Sequence, residues 1–239
     1  MREQDLIFDR DKHTIYSDSI KNGIQRLLRR YHDRRTAKQL WHDVQLKWCA
    51  LTEDAPAFGK VPHNSQFYDS LLIFAYCDTV TELPPRAVLQ QEVCDSIMGM
   101  FEGLGKTIDV NLPNFNILMG GIFKASVAAK ARLAKKYPDS FQPTKCHYDP
   151  IKGEVRYSFT KCPVADFALA HGYEKYLPLC CNCDHLALAK VGAGLIREHT
   201  CGISDECDYL IVGSKSPLYA QYHTEEDSNG LLISVRNTT

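Results

Sequence analysis

The stretch Val155-Arg-Tyr-Ser-Phe-Thr160 decides the fold, because apolar and polar residues alternate along it. A period of two places successive side chains on opposite faces of a strand, which predicts a strand with one buried face. The residues that precede it, from His147, predict a second strand, and Asp149-Pro-Ile-Lys-Gly153 has the composition of a turn. We therefore expect an antiparallel pair of strands at this point in the chain.

Two further strands and two short helices are predicted after this pair. The predicted elements are strands at 195–200 and 207–212, with a hairpin turn at 202–206, and helices at 164–170 and 183–191. Pro163 favours the start of the first helix, and Gly172 favours its end. The second half of the chain is thus expected to form a small antiparallel sheet with short helices.

The first half of the chain predicts helices. Apolar residues recur at positions 20, 24, 27, 28 and 31, which is the spacing of one helix face. Further helices are predicted around residues 41–51, over 67–77, from Pro84-Pro85 onward, and over 115–137. Helices followed by a small sheet make an α+β fold. We expect one domain over residues 1–214, with a helical part (1–140) packed on a sheet-containing part (141–214), and a loosely structured C-terminal tail (215–239) with one candidate strand at 231–235.

Composition and charge narrow the range of partners. The chain has 239 residues, of which 44% are hydrophobic and 24% charged, and its 28 basic residues nearly balance 29 acidic ones. A neutral chain gives no reason to expect nucleic acid or an anionic membrane surface as a partner. The charged start, Met1-Arg-Glu-Gln-Asp5, does not resemble a secretory signal, and no apolar run reaches the roughly 20 residues that a membrane helix needs. We expect a cytoplasmic protein, whose cysteines are mostly free thiols in that reducing compartment.

Six of the ten cysteines fall between Cys162 and Cys207, among acidic residues. Thiolates attack electrophilic carbon and bind soft metals, whereas carboxylates and histidines move protons. Buried free cysteines are also common core residues, and we assign Cys49, Cys77 and Cys94 to that role because each lies on an apolar helical stripe. For the clustered group as a whole, we favour a functional role.

The positions of the candidate residues follow from the predicted elements. Cys162 lies where a strand leads into a helix, and unpaired N–H groups at a helix start favour a thiolate. Cys181 and Asp184 are three residues apart and can share one helix face. Cys207 and Asp208 are adjacent in a strand, so only one of them can face a given pocket.

Histidines and an arginine near these cysteines complete the candidate set. His185 and His199 could act as general bases, because imidazole titrates near neutral pH. With Arg197, which lies in the predicted strand beside His199, they are our candidates for binding substrate.

A zinc site is an alternative use of the thiols. Cys180 and Cys183 have the spacing of one half of a structural zinc site, but Cys201 and Cys207 are too far apart for the usual second half. We therefore expect no metal and no other cofactor. Reversible oxidation of the adjacent Cys180 and Cys181 is a further alternative.

Four short motifs in this half resemble the L-2-amino-thiazoline-4-carboxylic acid hydrolase family. They are Lys161-Cys-Pro163, His171-Gly172, Cys181-Asn-Cys-Asp184 and Cys207-Asp-Tyr209, and the resemblance covers roughly residues 115–213. It implies hydrolysis of a carbon–nitrogen bond in a small ring, with functional roles for Cys162, Cys181, Asp184, Cys207 and Asp208. The chain departs from the family pattern at Arg197-Glu-His-Thr200, where Arg-Thr-x-Thr is expected.

These observations predict a hydrolase that acts on a small molecule containing a non-peptide C–N bond, such as a cyclic amidine. A thiolate would attack the C=N carbon, an acid would protonate the departing nitrogen, and water would release the product. Cys181 is the first choice of nucleophile, with Asp184 as proton carrier, and Cys162 and Cys207 are the next candidates. Attack by water with the acids alone is the alternative mechanism. A non-catalytic module that binds a small ligand or metal, or senses redox state, is the alternative function, and a homodimer is compatible with the apolar helices.

Overall fold

The computed structural model describes residues 16–58 and 65–238. The charged residues at the start of the chain, from which we expect no secretory signal, lie outside the described residues. The chain divides into two compact units, Met1–Ile97 and Met98–Thr239. Helices and a small antiparallel sheet make up the described chain, so the predicted α+β class is confirmed.

The first unit is helical. Its helices are α1 (Asp18–Tyr31), α2 (Arg34–Glu53), α3 (Ser65–Thr79) and α4 (Arg86–Met98). The side chains of Ser17 and Asp33 accept backbone hydrogen bonds at the starts of α1 and α2, which satisfies N–H groups that have no partner within the helix. Every residue of α3 from 67 to 77 is buried, as its apolar composition predicts. Cys49, Cys77 and Cys94 are all buried, which confirms their assignment to the interior.

The second unit begins with helices α5 (Met100–Gly105) and α6 (Pro113–Lys136). The strands that follow are β1 (Gln142–Pro143), β2 (His147–Asp149), β3 (Glu154–Lys161), β4 (Ala193–Ile196) and β5 (Cys207–Gly213). Between β3 and β4 lie helices α7 (Pro163–His171), α8 (Leu177–Cys181) and α9 (Cys183–Lys190). The sheet is antiparallel, with the order β1-β3-β5-β4 and with β2 also paired to β3.

Each predicted strand pair is present, with changes at its ends. Strand β4 ends at Ile196 rather than at residue 200, and residues 197–206 form a longer connection than the predicted hairpin turn. Asp208 explains the early end, because its carboxylate accepts hydrogen bonds from the backbone N–H groups of Glu198 (3.2 Å) and His199 (2.5 Å). These bonds fold the backbone into a turn in place of a strand ladder. Gly172 ends α7 in the left-handed conformation that the sequence predicts there, with φ of 73°.

The C-terminal segment is more ordered than the expected loose tail. It contains a hairpin of β6 (Tyr222–Glu226) and β7 (Leu232–Arg236), where the sequence predicts only one strand. The segment packs on the sheet, because Leu218, Tyr219 and Tyr222 contact buried Ile196, Leu210 and Val212. Asn182 also bonds to this segment, donating to the Gly230 carbonyl (3.0 Å) and accepting from the Leu232 N–H (2.9 Å). Buried apolar side chains and satisfied polar groups hold this part of the chain in place.

No helix among residues 16–58 and 65–238 is long and apolar enough to cross a membrane.

Candidate functional site

One face of the main sheet carries aliphatic side chains at one end of the strands and a thiol at the other end. On this face the cross-strand pairs of β3 and β5 are Val155 with Ile211, Tyr157 with Tyr209, and Phe159 with Cys207. Val155 and Ile211 belong to the aliphatic core, which α6 and α9 cover. Two pairs further along, the face presents a thiol. The alternation that predicts the strand therefore also delivers Cys207 to the buried face.

Flat side chains form a row across the strands, between the aliphatic end and the thiol end. Leu195 pairs with Ile211, so Arg197 comes two residues later on the same face, beside Tyr209. The Arg197 guanidinium lies 5.8 Å from the centroid of the Tyr209 ring. Tyr209 stacks on Tyr157 at 4.8 Å and 8°, and Tyr157 stacks on Phe123 of α6 at 6.2 Å and 29°. Stacking of this kind fixes the orientation of each ring and of the cation.

Arg197 is buried completely, with 0% of its surface exposed. Its Nη1 donates to Asp184 Oδ2 (3.3 Å), and its Nη2 donates to the carbonyls of Cys181 (3.1 Å) and Leu232 (3.3 Å). Burial alone would lower the pKa of Arg197, but Tyr209, Cys207 and Asp184 outweigh it and raise the pKa. The guanidinium is therefore a permanent positive charge at the centre of the site.

Asp184 receives two hydrogen bonds on one oxygen. The Tyr209 hydroxyl donates to Oδ2 at 2.6 Å, and Arg197 donates to the same atom. Asp184 lies in the first turn of α9, where a negative charge is favoured by the helix dipole. Its side chain keeps 22% of its surface exposed, so the carboxylate connects the buried row to solvent.

Cys162 lies at the junction between β3 and α7. Burial raises the pKa of its thiol to about 12, while the backbone N–H groups of Ala165 and Val164 act in the opposite direction. These amides belong to the first turn of α7, which Pro163 starts. The sulfur of Cys162 thus has nearby donors that would stabilise it as an anion, in spite of the apolar surroundings.

Three more thiols lie close to Cys162. Burial raises the pKa of Cys181, Cys201 and Cys207. Neighbouring cysteines of the group raise the pKa of Cys181 and Cys201 further, and the charge of Arg197 opposes the rise at Cys181 and Cys207. Cys162 acts on Cys181 and Cys201, and Cys207 acts on all three of the others. The structure therefore brings together thiols from α7, α8, β5 and the connection before β5. Burial therefore favours the neutral form of all four thiols.

Lys130 of α6 reaches the same end of the sheet. Its Nζ lies 4.5 Å from the centroid of the Phe141 ring and 5.9 Å from that of Phe159. Burial lowers the pKa of Lys130 to about 8, and the charges of Cys162 and Asp184 act in the opposite direction. A lysine with a pKa this close to neutrality can exchange a proton readily.

Two of the predicted site residues lie elsewhere. Asp208 points away from the thiols and holds the turn after β4, as the alternation along β5 requires. His199 is exposed and approaches the same carboxylate, with 3.5 Å between Nδ1 and Oδ1. Since neither side chain faces the thiols, their contribution in this structure is to the shape of the connection between β4 and β5.

His185 lies close to Arg197 but cannot easily become charged. Burial lowers its pKa to about 3, the charge of Arg197 adds to that effect, and a hydrogen bond to the Leu232 backbone opposes it. Its Nε2 is buried and has no hydrogen-bond partner among the described residues. A neutral imidazole at physiological pH is a poor candidate for an acid, and it contributes packing beside the guanidinium.

The remaining cysteines of the clustered stretch have other surroundings. Cys183 is fully buried and donates to the Leu179 carbonyl (3.1 Å), while Cys180 is half-buried beside Cys181. All ten cysteines are free thiols. Within residues 16–58 and 65–238, no group of three or more His, Cys, Asp or Glu side chains is arranged to hold a metal ion.

Sequence reasoning missed Lys130, Tyr157 and Tyr209 as members of this site. Tyr157 carried a usable signal, since it lies on the buried face of β3, and Tyr209 follows Cys207 by one strand period. Lys130 also carried a usable signal in the sequence. Residues 119, 123, 127, 130 and 134 have the spacing of the inner face of α6, and Lys130 is the charged member of that otherwise apolar stripe.

Comparisons of the chain with protein-family models, with curated proteins and with solved structures found no match.

Proposed function

We propose that this protein is a hydrolase that cleaves a non-peptide C–N bond in a small cyclic amidine-like substrate, through a cysteine thiol with carboxylate assistance. The observation that carries the proposal is the convergence of Cys162, Cys181 and Cys207 with Asp184 and Arg197 at one end of the sheet. The resemblance of the sequence motifs to L-2-amino-thiazoline-4-carboxylic acid hydrolases supports the same class of substrate.

Cys162 is the thiol best placed to attack. The amides of Val164 and Ala165 lie beside its sulfur, whereas the cation that acts on Cys181 is Arg197, which is already bonded to Asp184 and two carbonyls. In the reaction, a bond forms between sulfur and the C=N carbon, and the electron pair of the C=N bond moves to nitrogen, which takes a proton. The lone pair of the other amidine nitrogen then expels the protonated nitrogen, so that the C–N bond breaks and the ring opens, and the proton that the other nitrogen loses passes to the leaving amine. Water attacks the carbon that still carries the sulfur, the C–S bond breaks, and the thiol is returned as the opened product leaves. Cys181, the nucleophile favoured by its spacing to Asp184, remains the alternative.

The fixed charges of the site suit this chemistry. Arg197 cannot lose its proton, and Asp184 is held by two donors, so their orientation is set before any substrate arrives. Preorganised charges and dipoles avoid the cost of reorienting groups during the reaction. A substrate would enter beside Asp184 and the half-buried thiols of Cys162 and Cys181, which are the parts of the site that keep exposed surface.

A cytoplasmic location is part of this proposal. The ten free cysteines fit a reducing compartment, and a catalytic thiol needs one to stay reduced.

The test compares serine variants in a hydrolysis assay. Wild-type protein is incubated with 2-amino-thiazoline-4-carboxylate and with simpler cyclic amidines, and the gain of one water is followed by mass spectrometry. We expect Cys162→Ser to lose most of the activity with its far-UV circular dichroism unchanged. Cys180→Ser, a half-buried thiol outside the proposed reaction, is the matched control and should keep it.

The other outcomes separate the alternatives. Loss of activity in Cys181→Ser but not in Cys162→Ser would move the nucleophile to Cys181. Full activity in Cys162→Ser, Cys181→Ser and Cys207→Ser would remove the thiol mechanism and leave attack by water. Absence of turnover on every ring in the wild-type protein would remove the proposed reaction and favour a ligand-binding or redox-sensing module.

A further inference from the structure

The proposed reaction needs an acceptor for the thiol proton, and Asp184 is badly placed to be that acceptor. Its Oδ2 already accepts hydrogen bonds from the Tyr209 hydroxyl and from Arg197. A thiol that donates to Oδ2 would have to compete with these two hydrogen bonds. Arg197 has no lone pair to offer, and burial lowers the pKa of His185 to about 3, which makes its imidazole a weak base. A group on another element is therefore better suited to accept the proton.

We infer that Lys130 is the base of this site: its Nζ takes the proton of the Cys162 thiol as the sulfur attacks, and then gives that proton to the substrate nitrogen. This inference rests on the proposed function, in which Cys162 is the nucleophile. The geometry that supports it is the reach of Lys130 from α6 across the rings of Phe141 and Phe159. Phe159 is three residues before Cys162 and pairs with Cys207, so the amine lies at the thiol end of the sheet.

The two rings hold the amine in place, and burial makes it easy to deprotonate. Aromatic faces attract an ammonium group and orient it. Burial disfavours the charged form and lowers the pKa of Lys130 to about 8. The charges that act on it are those of Cys162 and Asp184, and the site also contains the titratable groups of Cys181, Cys207, Tyr157 and Tyr209 and the fixed charge of Arg197.

The proton transfer balances without any other reagent. The S–H bond of Cys162 breaks, an N–H bond forms on Lys130, and the sulfur bonds to the substrate carbon. The C=N electron pair moves to the substrate nitrogen, which takes a proton from the Lys130 ammonium. Lys130 is neutral again at the end of the step, so the same amine serves as base and then as acid.

The experiment measures how fast Cys162 reacts with iodoacetamide between pH 6 and pH 10, with the modified site identified by mass mapping. It uses the full-length protein and needs no substrate. The variants are Lys130→Met, which removes the base, and Lys130→Arg, which keeps a positive charge but cannot give up its proton. Lys135→Met, an exposed lysine of the same helix, is the matched control. Alkylation of half-buried Cys180 in the same samples reports any general opening of the structure.

We expect the wild-type rate at Cys162 to rise with pH and to level off above about pH 8. At pH 8, both Lys130 variants should react at least about tenfold more slowly, because a positioned general base contributes about 10²–10⁴-fold. Cys180 should react equally in all of them. Lys130→Gln replaces Lys130→Met if the latter fails to fold.

Three results would overturn the inference. The first is a Lys130→Arg rate equal to that of the wild type, which would make Lys130 a charge and not a base. The second is an unchanged rate in Lys130→Met, and the third is no reaction at Cys162 up to pH 10. The expected alkylation pattern without any ring hydrolysis would instead refute the proposed reaction and leave the Lys130–Cys162 pair in place.

Discussion

Replacing Lys130 by methionine should stabilise the protein at neutral pH, and the gain should shrink as the pH rises. Methionine has a similar length and can keep the packing against Phe141 and Phe159, while it removes a buried charge. The pKa of Lys130 is lowered from 10.5 to about 8 in the folded protein. In the unfolded chain the lysine therefore binds a proton more tightly, and each pKa unit of difference corresponds to about 1.4 kcal/mol.

The sign and size of the effect follow from this difference. At pH 7 the lysine is charged in both states, so the folded state carries the full cost of about 3 kcal/mol, which is an upper value because Lys130 is half-buried. Between pH 8 and 10.5 the folded form is neutral while the unfolded form is still charged, and the cost declines. We expect the advantage of Lys130→Met to fall from about 3 kcal/mol at pH 7 to about 2 kcal/mol at pH 9.

The assay is urea unfolding followed by circular dichroism at several pH values, with linear extrapolation to water. Only the difference between variant and wild type is interpreted, because tyrosines and cysteines also titrate in this range and their effects cancel in that difference. Lys135→Met on the exposed side of α6 is the control and should show no pH-dependent difference. A destabilised Lys130→Met protein, or a difference that does not change with pH, would refute the assignment of Lys130 as a desolvated amine.

Three further substitutions test other buried polar groups by the same assay. The pKa of His185 is about 3, so wild-type stability should fall as the pH drops below 6.5. His185→Leu should remove about 3 kcal/mol of that loss at pH 4.5, and an equal fall in the free energy of unfolding of both proteins would contradict this prediction. Burial raises the pKa of Asp69 to about 6, with Ser17 as its hydrogen-bond partner. Asp69→Asn should therefore be up to about 3 kcal/mol more stable than the wild type at pH 7, and only about 0.5 kcal/mol more stable at pH 4; a deficit at pH 7 would contradict it. Tyr209→Phe removes the hydroxyl bond to Asp184 but keeps the ring stack, and should cost about 2 kcal/mol, so an unchanged unfolding midpoint would show that this bond is not formed.

The fold class could be predicted because local patterns decide it. Alternation along β3 and helical stripes in the first half depend only on neighbouring residues, and both are present in the structure. The extent of β4 could not be predicted in the same way. It depends on two hydrogen bonds to the Asp208 carboxylate from the backbone of residues nine and ten positions earlier, which no short window of sequence reveals.

The C-terminal hairpin was missed for a related reason. Residues 222–226 are polar and mostly exposed, so they carry no strand pattern. They are held by pairing with β7, and β7 is in turn held by a hydrogen bond from the Ser234 N–H to the Arg197 carbonyl (2.7 Å). Order in this segment therefore comes from distant partners and not from its own composition.

The candidate site was located by sequence in part. The cysteine-rich stretch, the opposite orientations of Cys207 and Asp208, and the helix start after Cys162 all follow from the residues themselves. The row from Arg197 through Tyr209 to Tyr157 required the register of three strands, and Lys130 required the angle at which α6 lies on the sheet. Register and packing angle are set by long-range contacts. The place of Lys130 on the apolar stripe of α6 is visible in the sequence, but its position over Phe141 and Phe159 is not.

The energetics of the sheet face argue that its thiol end serves chemistry. The aliphatic end, with Val155 and Ile211, already provides the apolar burial that stabilises a small sheet. At the other end the fold buries Arg197 completely and Lys130 partly, and burying a charge costs free energy that apolar residues of similar size would not. Asp184 compensates for Arg197, but neither its bonds nor the aromatic rings fully compensate for Lys130, whose pKa remains lowered. A partly buried amine destabilises the fold, but its lowered pKa leaves more of it neutral, and so able to accept a proton, near neutral pH. Such a loss of stability is expected where a site transfers protons.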